Sequence, residues 1–307
     1  MTGPRVVDEW TDSAGLPAVA VDCGGCGGFS VEKTFNCGQT FRFLAEPENP
    51  GRVSGSVRMG KGLPEARIFA DGSGVDPGTG EGLLILGGVT ADTFRERWAD
   101  YFDLREDYAA GERIILDAMP DRRSRAEMAE ALRIGRGIRI LRQDPWETLV
   151  TFILSQNNNI PRIRGIVARL CAACENRFPE PEDLCRIGTD GLYGLGCGFR
   201  AKYLSDAAEK VLSGGIDPVR IRTAERYEDA EAELERIVGV GPKVAACVLL
   251  FGFHRTDAFP VDVWMKKALA ERFPEGFDPA PLSRWAGYAQ QCLFYAERAR
   301  RYSVSTL

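Results

Sequence analysis

The 307-residue sequence predicts an α+β protein in which a small N-terminal antiparallel β domain packs on an all-helical domain. Up to about residue 105, glycine and proline are frequent and short apolar segments alternate with turns, which is typical of antiparallel strands. From about residue 109, apolar residues recur at i, i+3 and i+4, which is typical of amphipathic helices. We therefore place the two domains at residues 1–105 and 106–307.

The individual elements follow from local pattern. Strands are predicted at residues 40–44, 52–59, 66–70 and 83–86. Residues 46–82 are rich in glycine and proline, and we expect a mobile loop there. A helix is predicted at residues 91–101, and the helices of the second domain include residues 148–155, 163–170, 201–212 and 227–238.

Composition limits the classes of function. No run of about 18 apolar residues occurs, so we expect no membrane span. The N-terminus lacks a basic-then-apolar signal pattern, and nine irregularly spaced cysteines fit a reducing compartment, so we expect a cytoplasmic protein. Two cysteine pairs, Cys23 with Cys26 and Cys171 with Cys174, have metal-ligand spacing. They lie far apart and His254 is the single histidine, so we expect no metal and no cofactor.

The charge distribution is uneven. The formal net charge is −5, which is unusual for a protein that binds nucleic acid. Residues 120–170, however, contain ten basic and five acidic side chains. This excess fits either a local phosphate-binding face or simply a solvated helical surface.

The most informative stretch is residues 234–243, which reads as a helix, a tight glycine turn and a second helix. Gly239 and Gly241 permit positive φ and close approach of another backbone, and Pro242 suits the first turn of a helix. The first N–H groups of such a helix can bind a phosphate. Gly239, Val240 and Gly241 therefore predict a helix–hairpin–helix at about residues 228–253 that grips a DNA backbone.

Two side chains beside the hairpin suggest chemistry. Lys243 lies just inside the second helix, and Asp262 follows nineteen residues later at a predicted helix start. Taken alone, Lys243 is explained as a solvated lysine and Asp262 as an N-cap. An amine nucleophile can attack the anomeric carbon of a nucleotide and form a Schiff base. A carboxylate can stabilise the positive charge that develops on the sugar.

The combination of the hairpin, Lys243 and Asp262 resembles the helix–hairpin–helix DNA glycosylase superfamily. Further motifs narrow the resemblance to the 8-oxoguanine DNA glycosylase/AP lyase family. They are CGQTFR at residues 37–42, LRQDP at 141–145, NNNIPR at 157–162, GFRAKY at 198–203 and GYAQ at 287–290. The resemblance covers roughly residues 25–300 and implies a helical glycosylase domain, excision of 8-oxoguanine from duplex DNA, and strand cleavage by β-elimination. It implies Lys243 as nucleophile and Asp262 as its catalytic partner.

The resemblance also implies recognition residues. Gly38 resembles the glycine whose carbonyl accepts a hydrogen bond from N7 of 8-oxoguanine. Gln290 would read the Watson–Crick edge of that base, Phe294 would stack on it, and Cys247, on the helix face of Lys243, would contact it. Four residues would occupy the gap and contact the opposite cytosine, namely Asn157, Arg162, Phe199 and Arg200. The implied partner is double-stranded DNA containing oxidised guanine, bound by a monomer of bacterial, nucleoid-associated type.

Two departures and two alternatives remain. Trp264 stands where some relatives carry a phosphate-contacting histidine, and Tyr193 where some carry an arginine. An alkylbase glycosylase of the same architecture is the first alternative, although such enzymes lack the nucleophilic lysine. A non-catalytic DNA-binding module is the second, and it would need neither Lys243 nor Asp262.

Overall fold

In the computed structural model, which describes residues 3–63, 65–75 and 82–302, the N-terminal strands form a six-stranded antiparallel sheet. The strand order is β1-β2-β6-β5-β4-β3. Val19 pairs with Leu86 and Val21 with Leu84, so apolar side chains of two neighbouring strands meet on one buried face. The strands are β1 Arg5–Thr11, β2 Pro17–Asp22, β3 Leu44–Glu46, β4 Asn49–Val57, β5 Ala66–Val75 and β6 Gly82–Gly87.

The predicted antiparallel sheet is confirmed, but one of its segments is wrong. Residues 40–43 are not a strand, and pairing begins only at Leu44. Their alternation has another cause, because Phe41 is buried in the helical core and Phe43 in the sheet core. The stretch 46–82 contains all of β4 and β5, which the predicted strands cover only in part, and residues 76–81 lie outside the described residues. Strands β1 and β2 were not predicted.

Helices make up the remainder, and the described residues 88–302 contain no strand. Apolar spacing predicted several of them correctly, including one that matches its predicted bounds, Ala201–Leu212. Within the described residues, no helix is long and apolar enough to span a membrane. The helices are α1 Val31–Asn36, α2 Ala91–Thr93, α3 Ala99–Tyr101, α4 Tyr108–Asp117, α5 Arg122–Gly135, α6 Pro145–Ser155, α7 Ile160–Ala172, α8 Pro181–Leu192, α9 Ala201–Leu212, α10 Pro218–Thr223, α11 Tyr227–Glu235, α12 Pro242–Phe251, α13 Val263–Arg272 and α14 Ala286–Tyr302, with π-helical Phe94–Trp98 joining α2 to α3.

Buried arginines tie the sheet to the helices. Arg139 is fully buried, and its guanidinium donates to the carbonyl oxygens of Cys26, Gly28, Asp103 and Glu106. Arg42 of the sheet region pairs with Glu147 of α6 at 3.1 Å. Such paired, hydrogen-bonded charges tolerate burial, and they fix the orientation of the sheet on the helices. The boundary near residue 105 stays a prediction.

Candidate active site and nucleic-acid interface

The glycine turn between α11 and α12 is the centre of the candidate site. Gly239 has φ +82°, and a Cβ there would lie 2.4 Å from the Tyr203 ring, so only glycine fits. Gly241 differs from the expectation of positive φ, because it is extended at φ −116° and faces open space. Val240 is buried in the helical core and anchors the turn between these two glycines.

The N-terminus of α12 follows directly. Gly241 is the N-cap residue and Pro242 lies in the first turn, as the sequence predicts. In the part of the chain that the structure describes, no side chain caps this end of the helix. Its first N–H groups and the positive end of its dipole are therefore available to an anion.

Lys243 lies in this first turn against apolar groups. Its Nζ is 5.2 Å from the centre of the Phe152 ring, which is itself held by Phe41 and Phe251. One turn later, Cys247 is fully buried, and burial raises the pKa of its thiol. The charge of Lys243 and a hydrogen bond from it act in the opposite direction, whereas the charge of Asp262 raises that pKa further. The three side chains therefore lie close enough to interact.

Asp262 has a structural role in addition to its position near Cys247. It is the N-cap of α13, and its Oδ1 accepts a hydrogen bond of 2.7 Å from the N–H of Met265. The carboxylate is thereby fixed in direction, and it remains partly exposed. Lys243 and the neighbouring Val261 also line a cleft of about 510 Å³ that opens beside Phe259.

A second group of predicted residues meets around Gly38. Gly38 has φ +83°, and a Cβ there would lie 3.6 Å from Phe294 and 3.8 Å from Ile160. The turn is rigid, because Gln39 donates to the carbonyl oxygens of Thr34 and Arg139 at 3.0 and 2.8 Å. A residue of α1's C-terminal turn and a residue of α14 are thus adjacent although they are far apart in sequence.

Gln290 is buried on α14, one turn before Phe294. Its Nε2 donates to the carbonyl oxygen of Pro260 at 3.0 Å, and its Oε1 accepts from Gln291 at 2.7 Å. The Nε2 group can still donate one more hydrogen bond, and the Oε1 atom can still accept one more. Pro260 lies two residues before Asp262, so this contact links Gln290 to the segment that carries Asp262.

The predicted gap residues lie on two adjacent loops. Asn157 is exposed with φ +46°, an uncommon conformation that asparagine tolerates better than most residues. Arg200 is only 1% exposed and donates to the carbonyl oxygens of Gln156 and Asn157. The structure therefore places Arg200 beneath the Asn157 loop, with its guanidinium occupied by the backbone.

Two other predicted residues of this region face outward. Arg162 is exposed at the start of α7, and Phe199 is 51% exposed next to Tyr203. The exposed Phe199 ring stacks within 4.3 Å of the Arg200 guanidinium. Since Tyr203 also packs under Gly239, one aromatic residue joins the gap loops to the hairpin.

Sequence reasoning missed Phe152 and Ile160 as neighbours of the site. Phe152 belongs to an apolar helical run, in which nothing distinguishes a residue facing a lysine from one facing the core. Ile160 lies in the polar NNNIPR motif, and the contact of its side chain with the Gly38 turn depends on packing between distant segments. His254, expected to be structural, lies 3.3 Å from the Asp103 carboxylate. Among the described residues, no group of three or more histidine, cysteine or acidic side chains is arranged to hold a metal.

Comparison with known proteins identifies the family of this chain. Residues 150–275 match the model of the HhH-GPD superfamily of base-excision DNA repair proteins, and residues 86–149 match the N-terminal domain of 8-oxoguanine DNA glycosylase. The N-glycosylase/DNA lyase OGG1 of Arabidopsis thaliana is 30% identical over 303 residues, covering 86% of this chain and 76% of that enzyme. The N-glycosylase/DNA lyase of Saccharomyces cerevisiae is 39% identical over 153 residues, covering 43% of this chain but only 41% of the yeast enzyme.

A solved structure extends the agreement to the whole fold. The Clostridium acetobutylicum 8-oxoguanine glycosylase/lyase, in complex with double-stranded DNA containing cytosine opposite 8-oxoG, superposes with a TM-score of 0.79 at 27% identity. The match covers 98% of this chain and all of that one. The fold and the hairpin define a base-excision DNA repair protein of the HhH-GPD superfamily. Within that superfamily the chain belongs to the 8-oxoguanine DNA glycosylase family, and its enzyme class is N-glycosylase/DNA lyase.

Proposed function

We propose that this protein removes 8-oxoguanine from duplex DNA as a bifunctional glycosylase and lyase, acting as a monomer. The observation that carries the proposal is the grouping of Lys243, Cys247 and Asp262 at the head of α12. An amine, a base-contacting thiol and a carboxylate meet there beside an uncapped helix N-terminus. The alternative of a non-catalytic module gives no reason for this grouping.

The chemistry begins with extrusion of the target nucleotide, since the sugar cannot be reached inside the duplex. The neutral Lys243 amine attacks the anomeric carbon, the N-glycosidic bond breaks, and the base leaves with the bonding electron pair. Asp262 stabilises the positive charge on the sugar during this step. The bound amine loses a proton and the bond between the anomeric carbon and the ring oxygen breaks, with protonation of that oxygen, which leaves a Schiff base that acidifies the adjacent sugar carbon. Loss of a proton from that carbon then expels the 3′ phosphate by β-elimination.

Base recognition falls to the residues around Gly38. A carbonyl oxygen aimed at N7 accepts a hydrogen bond from 8-oxoguanine, whereas unmodified guanine presents a lone pair there. Phe294, adjacent to Gly38, stacks on one face of the base, and Cys247 contacts the other. Gln290 binds the Watson–Crick edge with the amide positions that Pro260 and Gln291 leave free.

The exposed loops contact the DNA opposite the lesion. Phe199 enters the base stack and kinks the duplex, and Asn157 fills the gap left by the extruded base. Arg162 contacts the orphaned cytosine directly. In the free protein, Arg200 donates a hydrogen bond to the carbonyl oxygen of Asn157 and holds that loop in place. It contacts the orphaned cytosine only after this hydrogen bond is replaced by one to the base.

The hairpin binds the phosphate backbone. The N–H groups of Gly239 and Gly241 and of the first turn of α12 point at one phosphate, which positions the nucleotide without reading its sequence. The N–H of Val240 donates to the carbonyl oxygen of Ile237 at 3.0 Å, so Val240 supports the turn itself. A single such contact gives modest affinity and a gentle dependence on salt.

The deciding experiment is borohydride trapping of Lys243→Gln on a duplex with one 8-oxoguanine. We expect the variant to remain folded and to bind DNA but to lose both the covalent adduct and strand cleavage, because glutamine keeps the bulk without the nucleophile. The control is Lys266→Gln, which removes an exposed lysine of α13 near the site and should trap at the wild-type rate.

Trapping by Lys243→Gln at the wild-type rate would assign the nucleophile to another amine. If the wild-type protein bound the duplex but gave no adduct and no excision, the non-catalytic module would be the correct alternative.

A further inference from the structure

Two cysteines at the end of β2 form a thiol pair that the glycosylase chemistry does not use. Cys23 is the N-cap residue of a single 3₁₀ turn, Gly24–Cys26, Cys26 is the last residue of that turn, and both side chains are buried. Cys26 Sγ donates to the carbonyl oxygen of Cys23 at 3.1 Å, so it points back toward the residue that carries the other thiol. Each thiol shifts the pKa of the other, as expected for two sulfur atoms that are neighbours in one turn.

The surroundings of Cys26 favour a reactive thiol. It lines a cavity of about 520 Å³ together with Gly25, Asp107 and Trp285, so a small molecule can approach it. The Arg139 guanidinium binds the carbonyl oxygen of Cys26 and places a positive charge next to the sulfur. Positively charged surroundings and a neighbouring thiol are the usual features of reactive cysteines.

The two thiols ionise differently as a result. The hydrogen bond from Cys23 and the charge of Arg139 lower the pKa of Cys26 to about 7, although burial acts in the opposite direction. The same hydrogen bond, together with burial, raises the pKa of Cys23. Cys26 therefore loses its proton more readily than Cys23, which is the division of roles between an attacking and a resolving cysteine.

The other pair with the same spacing provides an internal comparison. Cys171 and Cys174 follow each other at the end of α7, but burial raises the pKa of both, that of Cys171 to about 11. They should remain thiols under conditions that oxidise the first pair. Spacing alone therefore does not separate the two pairs, whereas their surroundings do.

We propose that Cys23 and Cys26 are a redox-active dithiol that a hydroperoxide oxidises to an intramolecular disulfide. The Cys26 thiolate attacks one peroxide oxygen, the O–O bond breaks, and a sulfenic acid forms as hydroxide or alkoxide leaves and is protonated. Cys23 then gives up its proton and attacks Cys26 Sγ, the S–O bond breaks, and water leaves as the disulfide forms. The two thiols together supply the two electrons that reduce the peroxide.

The test uses the reduced full-length protein, hydrogen peroxide as oxidant and differential alkylation. Remaining thiols are blocked under denaturing conditions, disulfides are then reduced and labelled with a second reagent, and peptides are identified by mass spectrometry. We expect the second label on Cys23 and Cys26 together, and Cys171 and Cys174 carrying only the first. Recovery of Cys23 and Cys26 as free thiols, at peroxide levels that oxidise the exposed Cys185, would overturn the proposal.

Two variants assign the roles. Cys23→Ser should accumulate a sulfenic acid on Cys26 that dimedone captures, and Cys26→Ser should give neither product. The rate of disulfide formation in the wild-type protein should rise with pH and reach half its maximum near the ionisation of Cys26. Cys185→Ser is the matched control and should leave that rate unchanged. A rate independent of pH, or dimedone capture on Cys23 instead, would also contradict the proposal, and the wild-type labelling decides even if a variant fails to fold.

Discussion

At the scale of single residues, Asp262 combines two roles. Its Oδ1 caps α13 through the N–H of Met265, and its carboxylate lies near Cys247 and therefore near Lys243. The helix needs only an oxygen acceptor, which asparagine also offers. The proposed chemistry needs a negative charge. These two requirements can therefore be separated by one substitution.

We predict that Asp262→Asn slows base excision by about 10²-fold, the scale of losing one electrostatic stabiliser, with little change in stability. Single-turnover rates and thermal melting measure the two effects. Asp107→Asn, at the N-cap of α4, is the control and should leave the excision rate unchanged. A loss of activity that only parallels a fall in melting temperature would mean that Asp262 merely caps the helix.

Gly38 carries the second residue-scale prediction. Gly38→Ala adds a Cβ at ordinary contact distance from Phe294, but at φ +83° it introduces strain of about 1–2 kcal/mol. Separately from this loss of stability, we expect the difference in binding free energy between 8-oxoguanine and guanine duplexes to fall by ~1–3 kcal/mol, the scale of one unmade hydrogen bond. The measurement is the ratio of affinities for the two duplexes at fixed salt.

Gly15→Ala separates strain from recognition. Gly15 has φ +79° with open space around it, in the turn between β1 and β2. Gly15→Ala should lower the stability by about as much as Gly38→Ala while leaving the ratio of affinities for the 8-oxoguanine and guanine duplexes unchanged. If Gly38→Ala also kept that ratio, the Gly38 carbonyl would have no part in recognising the lesion.

At the scale of the element, the hairpin uses its two glycines differently. Gly239 is required by backbone conformation and by the Tyr203 ring beneath it. Gly241 is extended and unobstructed, so its lack of a side chain matters only to what approaches from outside. The sequence pattern predicts the same backbone freedom at Gly239 and Gly241, whereas the packing of the structure requires glycine only at Gly239.

We predict that Gly239→Ala lowers the free energy of unfolding by ~1–3 kcal/mol, the scale of an overpacked site, and weakens binding to undamaged DNA. Gly241→Ala is the matched variant, and its stability should change by less than about 1 kcal/mol. Urea denaturation and DNA titration at two salt concentrations measure both. Equal stability losses would contradict the assignment of the Tyr203 contact to Gly239 alone.

At the scale of the whole molecule, a buried carboxylate joins segments that are far apart in the chain. Asp103, which follows α3 and is 3% exposed, contacts Tyr108, Arg142 and His254. Burial alone would raise the pKa of this carboxyl, but hydrogen bonds and charge from His254, followed by those of Arg142, outweigh burial and lower it. A carboxyl group whose pKa is lower in the folded state stabilises the fold at pH values above the pKa that it has in the unfolded chain.

The stabilisation by Asp103 should therefore be complete above about pH 5. It should disappear as the pH falls below about 4 and passes through the lowered pKa that Asp103 has in the folded state. We predict that the difference in unfolding free energy between the wild-type protein and Asp103→Asn shrinks over this range. Urea denaturation from neutral to acid pH measures it. Asp92→Asn, at an exposed position, should show no such trend, and a constant difference for Asp103→Asn would show that proton binding there is not linked to folding.

The sequence by itself determined the class of fold, the presence of the helices with strong apolar periodicity, the hairpin and the family. These rest on local patterns, since a 3.6-residue period or a glycine turn is visible without knowledge of distant contacts. Only the tertiary structure decided which residues meet. Gly38 lies against Phe294 because α14 reaches the turn that follows α1, where Arg298 donates to the carbonyl oxygen of Asn36 at 2.6 Å. Phe152 lies against Lys243 because α6 packs on α12. Long-range packing likewise buried Arg200 beneath the Asn157 loop and divided Phe41 from Phe43 between two cores, and no local period encodes such contacts.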